Sequence, residues 1–381
     1  MILEYGVKNF LSFKDGGVVS FRLDGNVPNT ISAGKDFSTI LCVKGANGSG
    51  KTHLLKGVAF LASFITSSFS YDINGDIPID PFGGSEDFSS FYVDFRLNQI
   101  DYRYELDAYQ KKVVRETFFR KRGRRTKLFE RLGDVVVDAV GEFKLLMGIK
   151  NRRNVSVFSM ANQHEIEATK EIYNYFSSVI FNVHAGGVLD SSFGDIGVVS
   201  KYLFDNPSAL KLVGDFLMNC DTGVSEVKVV SEESADGKKK NFYPLFLHKS
   251  DGEEIWVRLS TESSGTKQIF KQIMAYFSTV AQGGFLVIDE FDLYLHPDIL
   301  PKILNLFTDL DFNMSDAQMI FTSHQNDVMD ICGKYRICLV SKEDNASFVY
   351  RLDEIPGDML RNDRPISKFY KEGRIGGVPK I

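Results

Sequence analysis

The 381-residue sequence predicts an α/β fold in which both ends of the chain build one buried, mostly parallel sheet. Residues 37–67 have the pattern of an apolar strand, a glycine-rich loop and a long helix, and residues 264–341 alternate between helical and strand-like segments. Strands that are separated by helices usually pair in parallel, and the helices then cover both faces of the sheet. The segment between these two parts is predicted to be an insertion.

The composition is that of a globular protein, with 43% hydrophobic and 25% charged residues. A formal net charge of −5 argues against a wholly basic nucleic-acid-binding protein but allows a local basic patch. The cysteines lack metal-ligand spacing, which indicates a reducing, cytoplasmic environment. Neither a signal peptide nor a run of about 18 apolar residues is found, so we expect no membrane association.

The first part of the chain favours strands. Residues 1–10 have the pattern of an opening strand, and the alternation over 91–106 around a polar turn predicts a β-hairpin. The basic segment RKRGRRTK at 120–127 is expected to form another hairpin tip, and residues 162–217 are mostly helical in pattern. The insertion is therefore predicted to begin with antiparallel strands and to continue with helices.

Strands return after residue 223, where the turn signals Asp236-Gly237 and Asp251-Gly252 separate three strand-like segments. The remaining predicted order is helix 264–281, strand 284–289, helix 298–310, strand 317–322, helix 325–332 and strand 335–341.

Four regions follow from this pattern. Residues 1–70 are predicted to form the N-terminal part of the domain that contains the buried sheet, and residues 71–160 an antiparallel β-rich lobe with the basic hairpin. Residues 161–222 are predicted to form a helical insertion, and residues 223–381 the C-terminal part of the domain that contains the buried sheet.

The segment GANGSGKT matches the phosphate-binding pattern GxxxxGK[ST] and lies between a predicted strand and a predicted helix. The glycines allow backbone N–H groups to converge on phosphate oxygens, and the helix N-terminus attracts the same anion. Lys51 would reach the β- and γ-phosphates of ATP, and the Thr52 hydroxyl would ligate Mg²⁺. The alternative is a glycine turn without a ligand. The predicted nucleotide-binding residues are Gly45, Ala46, Asn47, Gly48, Ser49, Gly50, Lys51 and Thr52.

The segment FLVIDE at 285–290 is an apolar run that ends in two carboxylates. Ligands bind at the carboxyl ends of buried parallel strands, so Asp289 is predicted to hold Mg²⁺ through a water molecule. Glu290 is predicted to be the general base that activates the attacking water. Such a run is common by chance, but hydrolysis needs both a phosphate cradle and a metal carboxylate.

A histidine follows the next predicted strand, in the segment FTSH. A lone histidine is more often structural, but His324 ends its strand where the nucleotide is expected, and we predict that it contacts the γ-phosphate. The other histidines are interpreted as structural, and His296 is expected to shape a turn.

The segment LSTESSGTKQ at 259–268 combines hydroxyl side chains with one glycine immediately before a predicted helix. It can be a helix cap, with Ser264 as a capping residue, or a second anion-binding loop. Two such loops with one metal site are redundant if a chain binds one ATP alone. They are consistent if the second loop reaches the nucleotide of another subunit.

The order of these motifs resembles that of ABC-type ATPases of the SMC/RecF/OLD branch. Ser264 and Gly265 match the serine and first glycine of the signature loop, and Thr266 replaces the second glycine, as in OLD-like and RloA-like bacterial defence ATPases. IDEFDLYLHP also resembles that group, with Asp292 where glutamate is commoner. No Q-loop glutamine is evident, and Gln99 is a weak candidate.

The resemblance implies an ABC-type P-loop head that binds ATP and Mg²⁺ and hydrolyses ATP slowly. In that superfamily the signature loop of one protomer completes the ATP site of the other in a head-to-tail dimer, which implies this role for Ser264 and Gly265. It further implies a role in antiviral defence. OLD proteins carry a Toprim nuclease that the sequence lacks, so the effector is expected to be a separate protein.

Several alternatives stay open. The basic segment Arg120–Lys127 can be a solvated hairpin tip, a contact to the phosphates of nucleic acid, or a docking site for an acidic partner. The chain can also be a RecF-like DNA repair or chromosome-maintenance ATPase, or a scaffold that binds ATP with negligible turnover.

Overall fold

The computed structural model describes residues 1–184, 187–188, 193, 195–220, 222–233, 239–250, 252–356, 360 and 364–378, with the backbone alone for 187–188. The predicted turn at Asp236-Gly237 and the first residue of the turn at Asp251-Gly252 lie outside these residues. Within the described ranges, every helix is too short or too polar to cross a bilayer.

The strands in the N-terminal half are β1 (Ile2–Lys8), β2 (Gly17–Ser20), β3 (Ile40–Lys44), β4 (Ser89–Leu97), β5 (Ile100–Tyr109), β6 (Lys112–Arg122), β7 (Arg124–Leu132), β8 (Val135–Ala139), β9 (Ile180–Phe181), β10 (Val183–His184) and β11 (Gly187–Val188). Those that follow are β12 (Glu226–Glu233), β13 (Lys240–Ser250), β14 (Glu253–Arg258), β15 (Phe285–Ile288), β16 (Gln318–Thr322), β17 (Ile337–Glu343) and β18 (Ala346–Arg351). The α-helices are α1 (Asn29–Ser32), α2 (Lys51–Ser67), α3 (Val157–Gln163), α4 (Glu167–Ser177), α5 (Ile196–Asp205), α6 (Pro207–Asn219), α7 (Ser264–Gln282), α8 (Leu300–Thr308), α9 (Val328–Cys332) and α10 (Ile366–Lys371).

A six-stranded sheet forms the centre of the molecule, with the strand order β18-β17-β3-β16-β15-β9. Its strands pair in parallel except for β18, which is antiparallel to β17. The prediction of a parallel sheet built from both ends of the chain is therefore confirmed. Helices α4, α5 and α6 confirm the prediction of a mostly helical segment over 162–217, but the pattern did not predict β9, which adds a strand to this sheet. Two residues are too few to produce a recognisable strand pattern.

Alternate residues of the central sheet face two different hydrophobic cores. In β3, Leu41 and Val43 pack on one side with α2, whereas Ile40 and Cys42 pack on the other side with α7 and α8. This alternation follows from the strand period of two residues. The sheet is thus apolar on both faces, which explains why its strands have continuous apolar sequences.

A seven-stranded antiparallel sheet, in the order β2-β1-β4-β5-β6-β7-β8, packs against α2, α3 and α4 in one hydrophobic core. The β4–β5 and β6–β7 pairings confirm the predicted hairpins at 91–106 and 120–127. Strand β1 pairs with β4 directly, so the boundary predicted at residue 70 passes through a single sheet. The division of the chain into four regions remains a prediction.

Strands β12, β13 and β14 form a separate antiparallel sheet, as the sequence pattern predicts. Helices α5 and α6 pack against this sheet. Strand β14 leads through a short 3-10 turn at Leu259–Thr261 into α7. The small sheet therefore leads directly into the start of α7, where Ser263 and Ser264 are exposed.

One side chain joins the two large sheets. Gln318 is fully buried at the start of β16. Its amide nitrogen donates to the carbonyl oxygens of Ile2 and Ser38, both at 2.9 Å. Its amide oxygen accepts the Ile2 N–H at 2.6 Å. These bonds fix the first strand of the seven-stranded sheet to the central sheet.

Candidate functional site

The glycine-rich loop follows β3 and ends in the first turn of α2, as the sequence predicts. Gly50 has a φ of 109°, and a Cβ at this position would lie 2.5 Å from Ser347 Oγ and 2.7 Å from Ser12 Oγ. A Cβ on Gly45 would lie 2.3 Å from the carbonyl oxygen of Val340. These two glycines are therefore required by the close approach of neighbouring segments.

Two serines that sequence reasoning missed support this loop from outside. Ser347, in β18, donates to the carbonyl oxygen of Ser49 at 2.6 Å, and its Oγ lies 2.7 Å from Ser12 Oγ, whose hydroxyl can donate to it. Ser12 Oγ is also 2.8 Å from Nδ1 of His53. Isolated serines in a strand and a loop carry no recognisable pattern, so only the fold reveals this contact.

The loop fits a phosphate group. Lys51 is 8% exposed, and its Nζ donates to the carbonyl oxygens of Gly45 at 2.9 Å and Ala46 at 3.0 Å. Burial lowers the pKa of Lys51, and the nearby Asp289 carboxylate opposes this effect. Ser49 Oγ is buried and has no hydrogen-bond partner among the described residues. The first N–H groups of α2 have no acceptor within the helix. A phosphate would satisfy these donors.

Thr52 and Asp289 lie together, although 237 positions separate them in the sequence. Thr52 Oγ1 donates to Asp289 Oδ2 at 2.6 Å, and Asp289 is 4% exposed at the carboxyl end of β15. A hydroxyl and a carboxylate beside a phosphate loop are the oxygen donors that Mg²⁺ prefers. The residues present therefore fit a magnesium ion that is bound together with nucleotide.

Two residues that sequence reasoning missed orient Asp289. Asn182, directly after β9, accepts the Asp289 N–H at 2.8 Å and donates to its carbonyl oxygen at 3.0 Å. Thr322 Oγ1 donates to Asp289 Oδ1 and accepts the N–H of Glu290 at 2.8 Å. Thr322 is the last residue of β16, and it reaches Asp289 because β16 lies beside β15 in the sheet.

Glu290 has an unusual backbone conformation. Its φ of 55° lies in the left-handed region, where side chains other than glycine are rare and the conformation costs roughly 1–3 kcal/mol. The Thr322 bond to its N–H holds this conformation, and the side chain is only partly exposed. Strained residues of this kind cluster at functional sites, which agrees with the predicted role of Glu290 as general base.

His324 lies two residues beyond β16, the strand between β3 and β15. The sheet order therefore places it beside both the glycine-rich loop and Asp289, and its side chain is exposed. The N–H groups of His324 and Gln325 donate to the Asp292 carboxylate at 2.9 to 3.1 Å. Asp292 itself is 8% exposed.

The loop before α7 has a different cap from the one the sequence suggested. Ser263 is the N-cap, and its Oγ accepts the N–H of Thr266 at 3.1 Å. Ser264 is the first helical residue and its side chain is exposed. Ser264 is thus not the capping residue, because Ser263 already occupies that position. A Cβ on Gly265 would lie 3.1 Å from the carbonyl oxygen of Tyr294, in the segment after Glu290.

Gln99 does not belong to the site. It lies in the β4–β5 turn with a φ of 61°. Strand β4 pairs with Lys8 near its start and with Ile2 near its end, and a strand of this length spans roughly 30 Å. The turn is therefore at the end of the sheet away from the loop that contains Ser12. Asn182 occupies the position beside Asp289 instead.

Comparison with known proteins identifies the family of the chain. Residues 40–330 match the family described as "AAA domain, putative AbiEii toxin, Type IV TA system". The chain belongs to this family. The match begins at β3 and extends through His324, so it covers every predicted site residue. A search of curated proteins found no relative.

Solved structures show which fold the family member adopts. The SMC head bound to the C-terminal winged-helix domain of ScpA is 14% identical, with a TM-score of 0.50 over 92% of this chain and 96% of that chain. The SMC head from Thermotoga maritima is 15% identical, with a TM-score of 0.46 over 92% of this chain and 98% of that chain. The likeness to the first of these structures shows that the chain has an SMC-head-like P-loop fold.

Proposed function

We propose that the protein binds and hydrolyses ATP in an ATP-dependent dimer or higher assembly that serves antiviral defence. One observation carries the ATPase part of this proposal. Two distant parts of the sequence meet at one edge of the central sheet. Lys51 and Thr52 follow β3, Asp289 and Glu290 follow β15, and only β16 lies between these two strands. They provide a phosphate cradle, metal-binding oxygens and a carboxylate base in one place.

The residues divide the work of hydrolysis. Backbone N–H groups at the start of α2 and the Lys51 ammonium bind the phosphates, and Lys51 must leave the carbonyl groups of its own loop to do so. Mg²⁺ held by Thr52 and Asp289 would neutralise phosphate charge. Glu290 accepts the proton of the attacking water, and His324 contacts the γ-phosphate. Fixed charges that are already oriented supply most of the rate in such a site.

Dimer formation is proposed from the exposed start of α7. Ser264 and Gly265 present a hydroxyl and free helix N–H groups, while the phosphate loop of the same chain already has its own donors. We propose that these two residues bind the γ-phosphate of ATP in a second protomer. ATP then lies between the protomers, and hydrolysis separates them.

The defence role is supported by the family description, which names a toxin and a toxin–antitoxin system. The resemblance of residues 264–266 to OLD-like ATPases supports the same role. We propose that the assembly senses a phage component or controls a separately encoded nuclease or toxin. A neighbouring gene for a Toprim or HNH nuclease or a reverse transcriptase would agree with this role, whereas a replication operon would contradict it.

The test compares wild type with Glu290→Gln and Ser264→Arg. Removing the general base should lower ATP turnover by roughly 10²- to 10⁴-fold and trap an ATP-bound dimer that is visible by light scattering. Ser264→Arg should abolish turnover and dimer formation but keep ATP binding by the monomer. Glu233→Gln and Ser177→Arg change exposed side chains elsewhere and serve as controls.

Four outcomes would contradict the proposal. Unchanged turnover in Glu290→Gln removes Glu290 from the reaction, and loss of ATP binding in Ser264→Arg shows that Ser264 acts within its own chain. Tight ATP-dependent assembly without turnover in wild type identifies a scaffold. Hydrolysis that DNA stimulates without a toxic partner identifies a repair ATPase.

We also propose that the β6–β7 hairpin tip contacts the phosphate backbone of nucleic acid. Its register places Lys121 opposite Arg125 and Arg122 opposite Arg124, and like charges that face each other across strands are unfavourable. Arg125 is paired with Glu105 at 2.6 Å. The cations at the tip without a described carboxylate partner are Arg120, Lys121, Arg122 and Arg124. An anionic polymer would relieve this repulsion.

The hairpin is tested with Arg122→Ser/Arg124→Ser against Lys170→Ser/Lys201→Ser, a control pair of equal charge in which both lysines are ion-paired. Loss of two phosphate contacts should weaken binding of random-sequence DNA or RNA at all sequences. It should also reduce the slope of log K against log salt by about 2. Equal binding by the two double variants would leave the tip a solvated turn.

A further inference from the structure

We infer that Asp292, together with Lys44, is a positioning residue for His324. The inference rests on the proposed ATP hydrolysis, in which His324 contacts the γ-phosphate. His324 is exposed and its imidazole has no described contact to a neighbouring element that would fix its place. Its location therefore depends on the backbone of residues 323–325. Buried charged groups bind both the N–H groups and the carbonyl oxygens of that backbone.

The first charge is the Asp292 carboxylate. Its two oxygens accept the His324 N–H at 3.1 and 3.0 Å, and Oδ2 also accepts the Gln325 N–H at 2.9 Å. The side chain is 8% exposed. Hydrogen bonds to an ionised acceptor are stronger than neutral ones, so this carboxylate determines where the chain turns after β16.

The second charge is the Lys44 ammonium, at the last position of β3 directly before the glycine-rich loop. Its Nζ donates to the carbonyl oxygens of Ser323 at 2.9 Å and Gln325 at 3.2 Å. Lys44 is 2% exposed, and its ammonium lies 5.5 Å from the ring centre of Tyr370. Because Lys44 adjoins the phosphate loop, it fixes His324 relative to the phosphates.

Asp292 belongs to the segment that also contains Glu290. Glu290 and Tyr294 have φ values of 55° and 66°, so this short segment has two left-handed residues that are not glycine. Conformations of this kind persist only when surrounding contacts hold them. The Asp292 bonds to the N–H groups of His324 and Gln325 supply such contacts. They therefore fix the position of His324 relative to Glu290. Both Asp292 oxygens are already engaged by these backbone N–H groups.

The test is a double-mutant cycle with Asp292→Asn and His324→Ala, measured by single-turnover hydrolysis of labelled ATP. Asp292→Asn should lower the rate about tenfold with nucleotide affinity unchanged, because the histidine is displaced while the phosphate cradle remains. Asp292→Glu keeps the carboxylate and should restore most of the rate. In the His324→Ala background, Asp292→Asn should cause no further loss.

The outcomes separate the possible failures. The positioning role alone is overturned if the rate losses of the two single variants multiply in the double variant. It is also overturned if Asp292→Asn lowers nucleotide affinity by the same factor as it lowers the rate. A wild-type protein without turnover overturns the proposed ATPase function as well. If Asp292→Asn does not fold, Lys44→Arg is used in the same cycle, since it moves the donors and keeps the charge. The rate loss caused by Lys44→Arg should likewise disappear in the His324→Ala background.

Discussion

At the scale of the residue, Gln318 shows how much a single buried amide can hold together. Its three hydrogen bonds engage Ile2 in the seven-stranded sheet and Ser38 beside the central sheet. Because the side chain is fully buried, water cannot replace these bonds. A buried donor or acceptor that loses its partner costs about 1–3 kcal/mol. Replacement by an apolar side chain of equal length would leave three such groups.

We therefore predict that Gln318→Met lowers the free energy of unfolding by at least about 2–4 kcal/mol. The physical reason is the unpaired Ile2 N–H and the unpaired carbonyl groups of Ile2 and Ser38. Urea unfolding followed by circular dichroism measures the change. Gln163→Met, at an exposed position, is the control and should stay near the wild-type value. An equal stability of both variants would show that the link between the sheets is dispensable.

At the scale of the element, helix α7 has its N-cap and the residue that we propose for binding at adjacent positions. Ser263 accepts the Thr266 N–H and is the structural cap, whereas Ser264 is helical and exposed. A serine N-cap contributes about 1 kcal/mol to helix stability, and an exposed serine in the first turn contributes little. Stability and activity should therefore respond differently to alanine at these two positions.

We predict that Ser263→Ala lowers the free energy of unfolding by about 1 kcal/mol and leaves the dimer able to form with ATP. Ser264→Ala should keep the stability and weaken ATP-dependent dimer formation. Thermal unfolding and light scattering with ATP measure the two properties. The reverse result, with Ser264→Ala destabilising the fold, would assign the cap to Ser264 after all.

The same helix shows what the sequence could not resolve. The pattern predicted a helix over 264–281 and the structure has Ser264–Gln282, because apolar periodicity locates a long helix well. The choice of cap between two neighbouring serines depends on backbone angles, which a pattern of residue types does not contain. The partners of Asp289 were missed for a related reason, since Asn182 and Thr322 reach it only through the sheet order.

At the scale of the whole molecule, the long motifs predicted the central sheet, and the two-residue strand β9 was missed. Strand β9 has two residues and gave no signal, although it extends the sheet beside β15. The pairing of β1 with β4 joins residues on both sides of the boundary at residue 70, because distant strands pair through contacts that composition does not reveal. The phosphate loop and the carboxylates were predictable because their chemistry fixes their residue types.

The edges of the central sheet bear on how copies of the protein can associate. A sheet that is apolar on both faces and has a long free edge would invite another chain to add a strand, which leads to aggregation. Here one edge strand, β9, has only two residues, and at the other edge the Ser347 N–H donates to the Ser12 carbonyl oxygen at 2.7 Å. Strand addition is disfavoured at both ends. This agrees with the proposed contact between protomers through the loops at the carboxyl ends of the strands, where the proposed nucleotide site lies.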